Sequence, residues 1–479
     1  MASSLRLRAK SLFTPDPTEF FAFLQHLFSR ETVPRAVARH VFDAAQKEFP
    51  DSLVVCLLTH LQKSPVKNTR SRCAILLLRL FRRQHNLYHR LSPTAQNELK
   101  TVLLHCMRQE SVAVIYRALI DIVADTATLL LPKKQWPEVY EYMFQSLKTD
   151  DPRDVECAAL LFTKLIPRFP QLFLFHVNDL SEAFLGIMDT TWDSPVVSGA
   201  AVGASVELIL HLTTPSNHEK HYDLVNYMLR VLFDVMDEID ACFSTHRILE
   251  DMAVLAGAET RFLRSNIDYL VEKMLDAAEN YFASNKTKEL AVECVITIAE
   301  DREYGCGMIQ NTPLDVLRRL FRVLLYMLAP IDLDPSEDEG DSGNCSYAMK
   351  AIARLVKALR ENVVIHSIPD CLNNFLQDLD WRRRQAAITF LGLIVDSFSK
   401  KGNSRLKEAA LMSLASLADS FQAWSRLCKY LGTEFVPYLS LSMPQLLLSA
   451  QLTNYLDIIE NSDDMDYSDD ERLVFLQKS

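Results

Sequence analysis

Apolar residues recur at steps of three and four along nearly the whole chain, whereas a two-residue alternation is hard to find. This period places apolar side chains on one face of a helix. Proline stands at Pro93 and Pro137 where it begins a helix. In the segment 111–131, the apolar residues that share one face are Val112, Ile115, Leu119, Ile122 and Val123. The pattern therefore predicts an all-α protein.

The predicted helices come in pairs that are separated by short polar or proline-marked breaks. Five of the seven intervals between successive second helices are 40–48 residues long, close to the period of about 40–47 residues that is typical of HEAT and armadillo units. One pair is too short to bury its own apolar face, so neighbouring pairs must stack. The pattern predicts an α-solenoid (superhelix) of HEAT repeats. The second helices are predicted to begin near Asn68, Ser111, Arg153, Asp193, Ala241, Thr287, Ser346 and Trp381.

Two acidic segments interrupt this array. We predict N-terminal and central HEAT repeats over 1–400 with an acidic loop at 331–345, shortened later HEAT helices over 401–456, and an acidic, disordered tail over 457–479. The loop has six carboxylates and no basic residue between 331 and 344, so it cannot bury enough surface to fold. It is either a solubilising segment or a charged flap that captures or competes for Lys/Arg-rich ligands.

Charge and composition narrow the class of protein. The chain has 479 residues, and its 51 Lys and Arg against 62 Asp and Glu give a formal net charge of −11. This charge opposes broad binding to nucleic acid or to anionic membranes and favours basic partners. The ten cysteines include no C-x-x-C pair, which indicates reduced thiols in a cytosolic or nuclear protein. No apolar run approaches 18 residues, so we expect no membrane insertion.

Catalytic motifs are missing from the sequence. There is no P-loop and no G-x-S-x-G, and Gly305-Cys306-Gly307 lacks the third glycine of a dinucleotide fingerprint. We therefore expect no enzyme, no catalytic, cofactor-binding or metal site, and no cofactor. The string Trp381-Arg382-Arg383-Arg384 opens an amphipathic helix. This string has two interpretations. Either Trp381 anchors the packing of the helix while the arginines face solvent, or the start of the helix faces a ligand.

Several blocks of sequence resemble the importin β (karyopherin β) superfamily, in particular its importin five, or Ran-binding protein five, branch as found in plants. The resemblance rests on the order and combination of these blocks, and it extends from about residue 17 to residue 471. The blocks are Pro50–Leu53 with Leu57–Pro65, Leu91–Gln96, Glu259–Arg264, Leu290–Glu300, Arg318–Phe321 before the acidic insert, and Gln422–Gly432 running on to Met443-Pro444.

The resemblance also has departures. Members of the family are considerably longer, and the likeness is continuous only to about Ser399. The segments 407–420 and 422 onward resemble repeats that lie further along in the family. We therefore expect a chain shortened internally, near 400 and near 421, and at its C-terminus. Such junctions could leave non-adjacent repeats that do not bury each other's apolar faces.

The resemblance implies a nuclear transport receptor that shuttles between cytoplasm and nucleus through nuclear envelope pores. Cargo proteins with basic import signals would bind the inner face, and Phe-Gly nucleoporins would bind the outer face. Ran-GTP would bind the N-terminal arch, which includes parts of 35–48, 68–82 and 111–125. We expect a monomer with no direct nucleic-acid binding. The acidic loop would present Glu337, Asp338, Glu339 and Asp341, and the cargo-binding candidates are Glu293, Glu300, Asp301, Asp380 and Trp381.

The sequence also leaves two functions other than transport open. The first is a HEAT-repeat scaffold subunit that organises a protein complex without transport activity. The second is an enzyme with an unrecognised site, although no constellation of acid, base and nucleophile emerges.

Overall fold

The structure, a computed structural model, forms two compact units, Met1–Leu255 (unit 1) and Ala256–Ser479 (unit 2). We treat each unit by itself. The structure describes residues 2–399, apart from gaps at 14–16, 84–86, 191, 193–194, 214–217, 238–241, 281, 302–308, 310, 330–340, 361–362 and 365–366. The predicted later helices (401–456) and acidic tail (457–479) lie outside these residues, as do the expected junctions near 400 and 421.

Helices account for the regular structure of unit 1. They are α1 (Ala2–Ser11), α2 (Pro17–Leu27), α3 (Thr32–Glu48), α4 (Pro50–Lys63), α5 (Lys67–Arg83), α6 (Leu87–Arg90), α7 (Pro93–Gln109), α8 (Ala113–Leu130), α9 (Pro137–Ser146), α10 (Pro152–Leu165), α11 (Pro170–Phe173), α12 (Val177–Asp189), α13 (Pro195–Leu212), α14 (His218–Asp237) and α15 (Cys242–Ala258), whose last turn belongs to unit 2. Short 3₁₀ turns cover Leu131–Lys133 and Leu174–His176.

Unit 2 is built in the same way. A 3₁₀ segment, Thr260–Asn266, leads into α16 (Ile267–Glu279), and α17 (Asn285–Glu300), α18 (Leu314–Leu328), α19 (Asp341–Ala358), α20 (Pro369–Leu376) and α21 (Trp381–Ser399) follow. No residue that the structure describes lies in a β-strand, which agrees with the predicted all-α class.

Local sequence signals explain where the helices begin. Pro93 and Pro137 are each the first residue of a helix, as predicted. A proline there costs no hydrogen bond, because the first N–H groups of a helix have no partner inside it. The Ser92 hydroxyl accepts from the N–H of Ala95 at 3.3 Å, and the Asp151 carboxylate accepts from the N–H of Arg153 at 2.9 Å. Such caps are worth about 1 kcal/mol each.

The second helices of the pairs are α5, α8, α10, α13 and α15 in unit 1, and α17, α19 and α21 in unit 2. Their observed starts agree with the predicted ones to within five residues, and they follow one another at 39–47 residues, except for 56 residues across the acidic insertion. In unit 1, α5 packs on α8, α8 on α10 and α10 on α13; in unit 2, α17 packs on α19 and α19 on α21. Within each unit the pairs therefore stack side by side, as the HEAT-repeat α-solenoid requires.

Each stack buries a continuous apolar layer. On α8 the predicted face is buried at Ile115, Leu119, Ile122 and Val123, while Val112 is only half-buried at the helix start. In unit 2 the rings of Phe321 and Phe390 meet at 5.7 Å between α18 and α21. Neither unit could bury these side chains within one pair, which is the reason that stacking stabilises the fold.

One described helix, Pro195–Leu212 (α13), is long and apolar enough to cross a membrane. It packs against α10, α12 and α14, and 67% of it is buried inside the protein. Its apolar surface is therefore used by its neighbours in unit 1, and we interpret it as a core helix.

Two glycines in unit 1 give a matched test of this packing. A Cβ at Gly203 on α13 would come within 2.8 Å of Asp251 Oδ2 and 3.1 Å of Arg247 Nη2, whereas a Cβ at Gly186 on α12 would meet nothing within 4 Å. We expect Gly203→Ala to destabilise unit 1 by about 1 kcal/mol, because the ends of the Asp251 and Arg247 side chains must shift away from the added methyl group. Gly186→Ala should stabilise it by about 0.5–1 kcal/mol through helix propensity. Urea denaturation of both variants measures the difference, and equal midpoints would contradict the close approach of α13 and α15.

Candidate partner-binding site on the second helices

Two of the predicted cargo-binding residues lie on one face of α17. Glu293 and Glu300 are seven residues apart, which is two helical turns, so both carboxylates point to the same side. The opposite side of α17 is anchored by the buried apolar residues Ala291, Val295 and Ile298. Because α19 packs along α17, the two carboxylates face a neighbouring helix of the same unit.

Arg354 on α19 fills the space between these carboxylates. Its Nη1 donates to both carboxylate oxygens of Glu293, at 2.8 and 2.9 Å. Its Nε and Nη2 donate to the two oxygens of Glu300, at 2.9 and 2.7 Å. A planar guanidinium matches two carboxylates in this manner, and such charge-assisted pairs are about twice as strong as neutral hydrogen bonds. We call Glu293, Glu300, Tyr347 and Arg354 the Arg354 cluster.

Ionisation in the Arg354 cluster follows from these contacts. The hydrogen bonds from Arg354 lower the pKa of Glu300, and the hydrogen bond to Glu300 raises the pKa of Arg354. The Tyr347 hydroxyl donates to Glu293 Oε2 at 2.9 Å, and its pKa is raised, chiefly by burial and then by the Glu293 charge. The cluster therefore sets one guanidinium against two carboxyl groups, and its side chains remain partly exposed.

The other candidates lie at helix ends. Asp301 follows the last residue of α17, and its N–H donates to the carbonyl of Ile298 at 3.3 Å. Asp380 precedes α21 and accepts from the N–H of Arg382 at 2.9 Å, as an N-cap does. Trp381 is the first residue of α21, and its side chain lies outside the described residues. The structure thus groups Glu293 and Glu300, with Asp301 at the end of their helix, and places Asp380 and Trp381 two repeats further on, at the start of α21.

The predicted acidic loop is largely outside the described residues. Glu337, Asp338 and Glu339 fall in the gap at 330–340, and Asp341 begins α19 with its side chain undescribed. Their role as a loop that binds basic ligands stays a prediction.

The start of α21 shows local pairing of two of its arginines. Arg383 donates to the Asp378 carboxylate at 2.7 Å and lies over the Tyr326 ring at 5.5 Å. Arg384 donates to the carbonyls of Asp378 and Leu379 at 2.7 and 2.9 Å. These contacts favour the interpretation of Trp381-Arg382-Arg383-Arg384 as a packed helix start over its interpretation as a ligand-facing one.

Sequence reasoning missed Arg354 and Tyr347, the residues that complete the cluster. The signal that could have found them is the repeat period. In unit 1 polar pairs join residues about one repeat apart: Arg70–Glu110, Arg82–Asp121, Tyr116–Glu156, Arg168–Asp125, Lys220–Glu182 and Arg230–Asp189 are 38–43 residues apart. Glu300 and Arg354 are 54 residues apart because the acidic insertion lies between them.

Unit 1 also holds a buried polar group on its second helices. The Tyr116 hydroxyl on α8 donates to Glu156 on α10, and Arg247 Nε on α15 lies 4.0 Å from Asp251 Oδ2. Burial raises the pKa of Glu156 and lowers that of Arg247. Burial also raises the pKa of Asp251 to about 7, against the opposing charge of Arg247 and with the nearby carboxylate of Glu207.

Asp251 therefore makes stability depend on pH. Its carboxyl has an ordinary pKa of 3.8 and a folded-state pKa of about 7, so between these values the folded state holds a proton that the unfolded chain releases. Unfolding free energy is expected to fall as pH rises through this window. Asp251→Asn should flatten that slope, whereas Asp223→Asn, which removes an exposed carboxyl on α14, should leave it in place. Urea denaturation at pH 5, 6, 7 and 8 tests this, and an unchanged slope in Asp251→Asn would contradict it.

The polar clusters show no metal-binding or nucleophilic chemistry. Among the described residues, no group of three or more His, Cys, Asp or Glu is placed to hold a metal ion. Burial raises the pKa of Cys73 and Cys294 to about 12, so these thiols stay protonated and unreactive. What the second helices show is paired charge between neighbouring repeats.

Comparison with known proteins agrees with this picture. A family model described as "IPO5-like, TPR repeats" matches residues 111–273. The observed intervals are longer than the 34 residues of a tetratricopeptide unit and fit HEAT units. Importin subunit beta-1 of Saccharomyces cerevisiae is 22% identical over 344 residues, 68% of this chain and 39% of that protein. The probable importin-5 homolog of Dictyostelium discoideum is 21% identical over 410 residues, 82% of this chain and 37% of that protein.

Solved structures resemble the chain over most of the same length. The crystal structure of Kap121p has a TM-score of 0.64 at 19% identity and covers 88% of this chain and 42% of Kap121p. Kap121p bound to RanGTP has a TM-score of 0.59 at 18% identity, over 80% of this chain and 37% of that chain. At this identity they show the fold, the HEAT-repeat α-solenoid. The chain spans about two fifths of the length of these proteins. The chain is therefore similar to importins in sequence and to the karyopherin Kap121p in fold.

Proposed function

We propose that the chain is a nuclear transport receptor of the importin five branch that binds basic import signals of cargo proteins and is released by Ran-GTP. The observation that carries the proposal is the stack of HEAT pairs, which resembles Kap121p over 88% of the chain. The branch is supported by the IPO5-like family model and by the Dictyostelium relative. Kap121p itself has been crystallised with RanGTP, with Pho4p and with Nup53p.

The Ran part of the proposal concerns unit 1. The segments proposed to face Ran are 35–48 within α3, 68–82 within α5 and 111–125, mostly within α8. Of these, α5 and α8 pack directly on each other, while α3 packs against α1, α2 and α4. A contact surface made by neighbouring second helices would bind Ran by shape and charge and would require no chemistry from this chain, because Ran holds the nucleotide.

The cargo part concerns unit 2. Glu293, Glu300, Asp301, Asp380 and Trp381 are the proposed cargo-binding residues, supplemented by the acidic loop. The Arg354 cluster shows that the α17 carboxylates accept a guanidinium with four hydrogen bonds. A lysine or arginine of a cargo signal would have to compete with Arg354 for them. This competition keeps the affinity moderate, which suits a receptor that must release its cargo.

The remaining partners follow from the same proposal. Phe-Gly nucleoporins would bind the first helices, and the receptor would act as a monomer in cytoplasm and nucleus. It would make no direct contact with nucleic acid and would not insert into membranes. It would be a transport receptor and not an enzyme.

The test is binding of the full chain to Ran in its two nucleotide states. We expect Ran loaded with GTP to bind and Ran loaded with GDP not to bind, and a basic import-signal peptide to be displaced by Ran-GTP. Equal binding of both forms, or of neither, would reject the Ran part. Unchanged peptide binding in the double variant Glu293→Gln/Glu300→Gln would reject the cargo site.

The second candidate is a HEAT scaffold that organises a protein complex without transport activity. The observation that favours it is that Arg354 already occupies Glu293 and Glu300 with ion pairs, which leaves fewer free carboxylates for cargo. Affinity purification that recovers one stable enzyme complex without Ran and nucleoporins would support the scaffold over the receptor.

A further inference from the structure

Charge is distributed very unevenly along the chain. The first 90 residues contain 15 of the 51 Lys and Arg but only 6 of the 62 Asp and Glu, a net charge of +9. The remaining residues carry −20. A local excess of this size attracts ligands of opposite charge, whatever the net charge of the whole protein is.

Much of this excess lies on α5. The helix has six basic residues and no acidic one, in the sequence KNTRSRCAILLLRLFRR. Its apolar face, with Cys73, Leu77 and Leu80, is buried in unit 1. Arg70 is engaged by Glu110 through two hydrogen bonds, at 2.8 and 3.1 Å. The other described arginines of α5 lie on the outward side.

Three of these arginines form one row, which we call the basic ridge: Arg72, Arg79 and Arg82. Their spacing of seven and three residues places them on a common face about 15 Å long. Arg79 is exposed, and no ion pair joins it to any residue that the structure describes. Arg72 lies over the Phe28 ring at 5.3 Å, and 57% of the Arg82 side chain is exposed. Ile75, half-buried, lies between Arg72 and Arg79.

The neighbouring second helices do not cancel this charge. Asp121 and Asp125 on α8 form ion pairs with Arg82 on α5, at 3.0 and 3.6 Å. They also form ion pairs with Lys164 on α10, at 2.6 Å, and with Arg168 in the turn after α10, at 3.1 Å. Three cations therefore surround two carboxylates, and Arg79 adds a fourth cation beside them.

We propose that the basic ridge is a docking surface for an acidic polypeptide segment in which an apolar residue lies between acidic ones. The arginines would pair with the carboxylates, and Ile75 would receive the apolar side chain. Arginine suits this role because its planar guanidinium binds carboxylates with two hydrogen bonds. Nucleic acid fits less well, because Phe81, the aromatic residue that lies among the ridge arginines in the sequence, is buried and cannot stack on bases, and because the rest of the chain repels a long polyanion.

This inference goes beyond the proposed transport function and does not depend on it. The pairs would lie at a solvent-exposed surface, so each contributes modestly and is screened by salt. We expect a weak, salt-sensitive complex with fast association, as is typical of electrostatically steered binding.

The experiment uses the full chain and a labelled 12-residue Glu/Asp-rich peptide with a central leucine, followed by fluorescence anisotropy at 50 and 300 mM salt. We expect binding at 50 mM salt that weakens at least tenfold in Arg79→Glu and at 300 mM salt. Arg79 has no described ion-pair partner, so this variant should fold normally. The matched control is Arg322→Glu, the same charge reversal at an exposed position of α18, which should change affinity less than twofold.

Several outcomes would overturn the inference. These are no binding of the peptide by the wild type, equal losses in Arg79→Glu and Arg322→Glu, or equal binding of a peptide with lysine in place of the acidic residues. A 12-nucleotide single strand or phosphatidylserine vesicles that bind more tightly than the peptide would overturn the choice of partner. Because the basic ridge lies within the segment 68–82 that is proposed to face Ran, the two proposals are separated on the wild-type chain. Binding of Ran-GTP without the acidic peptide would overturn this inference alone, and binding of the peptide without Ran-GTP would overturn the proposed function alone.

Discussion

Replacing Phe162 by alanine is expected to destabilise unit 1 by about 3–5 kcal/mol, the usual cost of removing a fully buried phenylalanine. The Phe162 side chain is completely buried on α10. Its ring meets those of Phe144, Phe173 and Phe184 at 5.3, 5.6 and 5.8 Å, mostly edge to face. These partners lie on α9, α11 and α12, so a single side chain joins a second helix to three neighbouring elements.

Hydrogen exchange followed by mass spectrometry can measure this effect locally, on the amides of α9–α12. A local measurement assigns the loss of stability to these helices, whereas a urea midpoint averages over the stacked repeats. The control is Phe175→Ala, the same substitution at a ring that is 91% exposed, which should change stability by less than about 0.5 kcal/mol. Comparable exchange in the two variants would mean that the aromatic cluster does not hold these pairs together.

Replacing Arg354 by leucine is expected to loosen the packing of α19 on α17 by about 2 kcal/mol. The substitution leaves Glu293 and Glu300, on the same face of α17, without the guanidinium that bonds both, and loss of hydrogen bonds to charged groups costs about 1.5–3 kcal/mol. Arg354→Lys should fall between wild type and leucine, because an ammonium keeps the charge but cannot serve both carboxylates with a planar set of donors. Hydrogen exchange of α17 and α19 measures the difference.

The pH dependence of the Arg354 cluster gives a second readout of the same variants. Arg354 lowers the pKa of Glu300 below its ordinary 4.5, so this stabilisation is present above that value and is lost as the pH falls through the lower, folded-state pKa. Arg354→Leu should remove this loss at acidic pH, whereas Arg322→Leu at an exposed site should retain it. Identical acid profiles for wild type and Arg354→Leu would contradict the role of the cluster.

The predictable part of the structure was the part that depends on periodicity. The starts of the second helices agree with the sequence pattern to within five residues, because each start is set locally, by a proline, a capping side chain or the first apolar step. Only part of the candidate site could be predicted from the sequence. Glu293 and Glu300 could be recognised as two carboxylates on one helical face, but nothing near them in sequence indicates Arg354.

The reason is distance along the chain. A pair such as Arg82–Asp121 is 39 residues apart and follows the repeat period, so an array of regular repeats suggests it. Arg354 reaches Glu293 across 61 residues that include the acidic insertion, and this insertion shifts the register. Only the packing of α19 against α17 decides which basic residue arrives between the carboxylates.

The sequence by itself determined that this protein is all-α, where the paired helices begin and that its N-terminal part is basic, since each of these follows from the order and type of residues. The tertiary structure decided which charges are neutralised and which are left exposed. Glu293 and Glu300 are held by Arg354, whereas Arg79 faces solvent with no ion pair among the described residues. Pairing depends on which helices become neighbours, and that is set by burial of apolar faces between repeats.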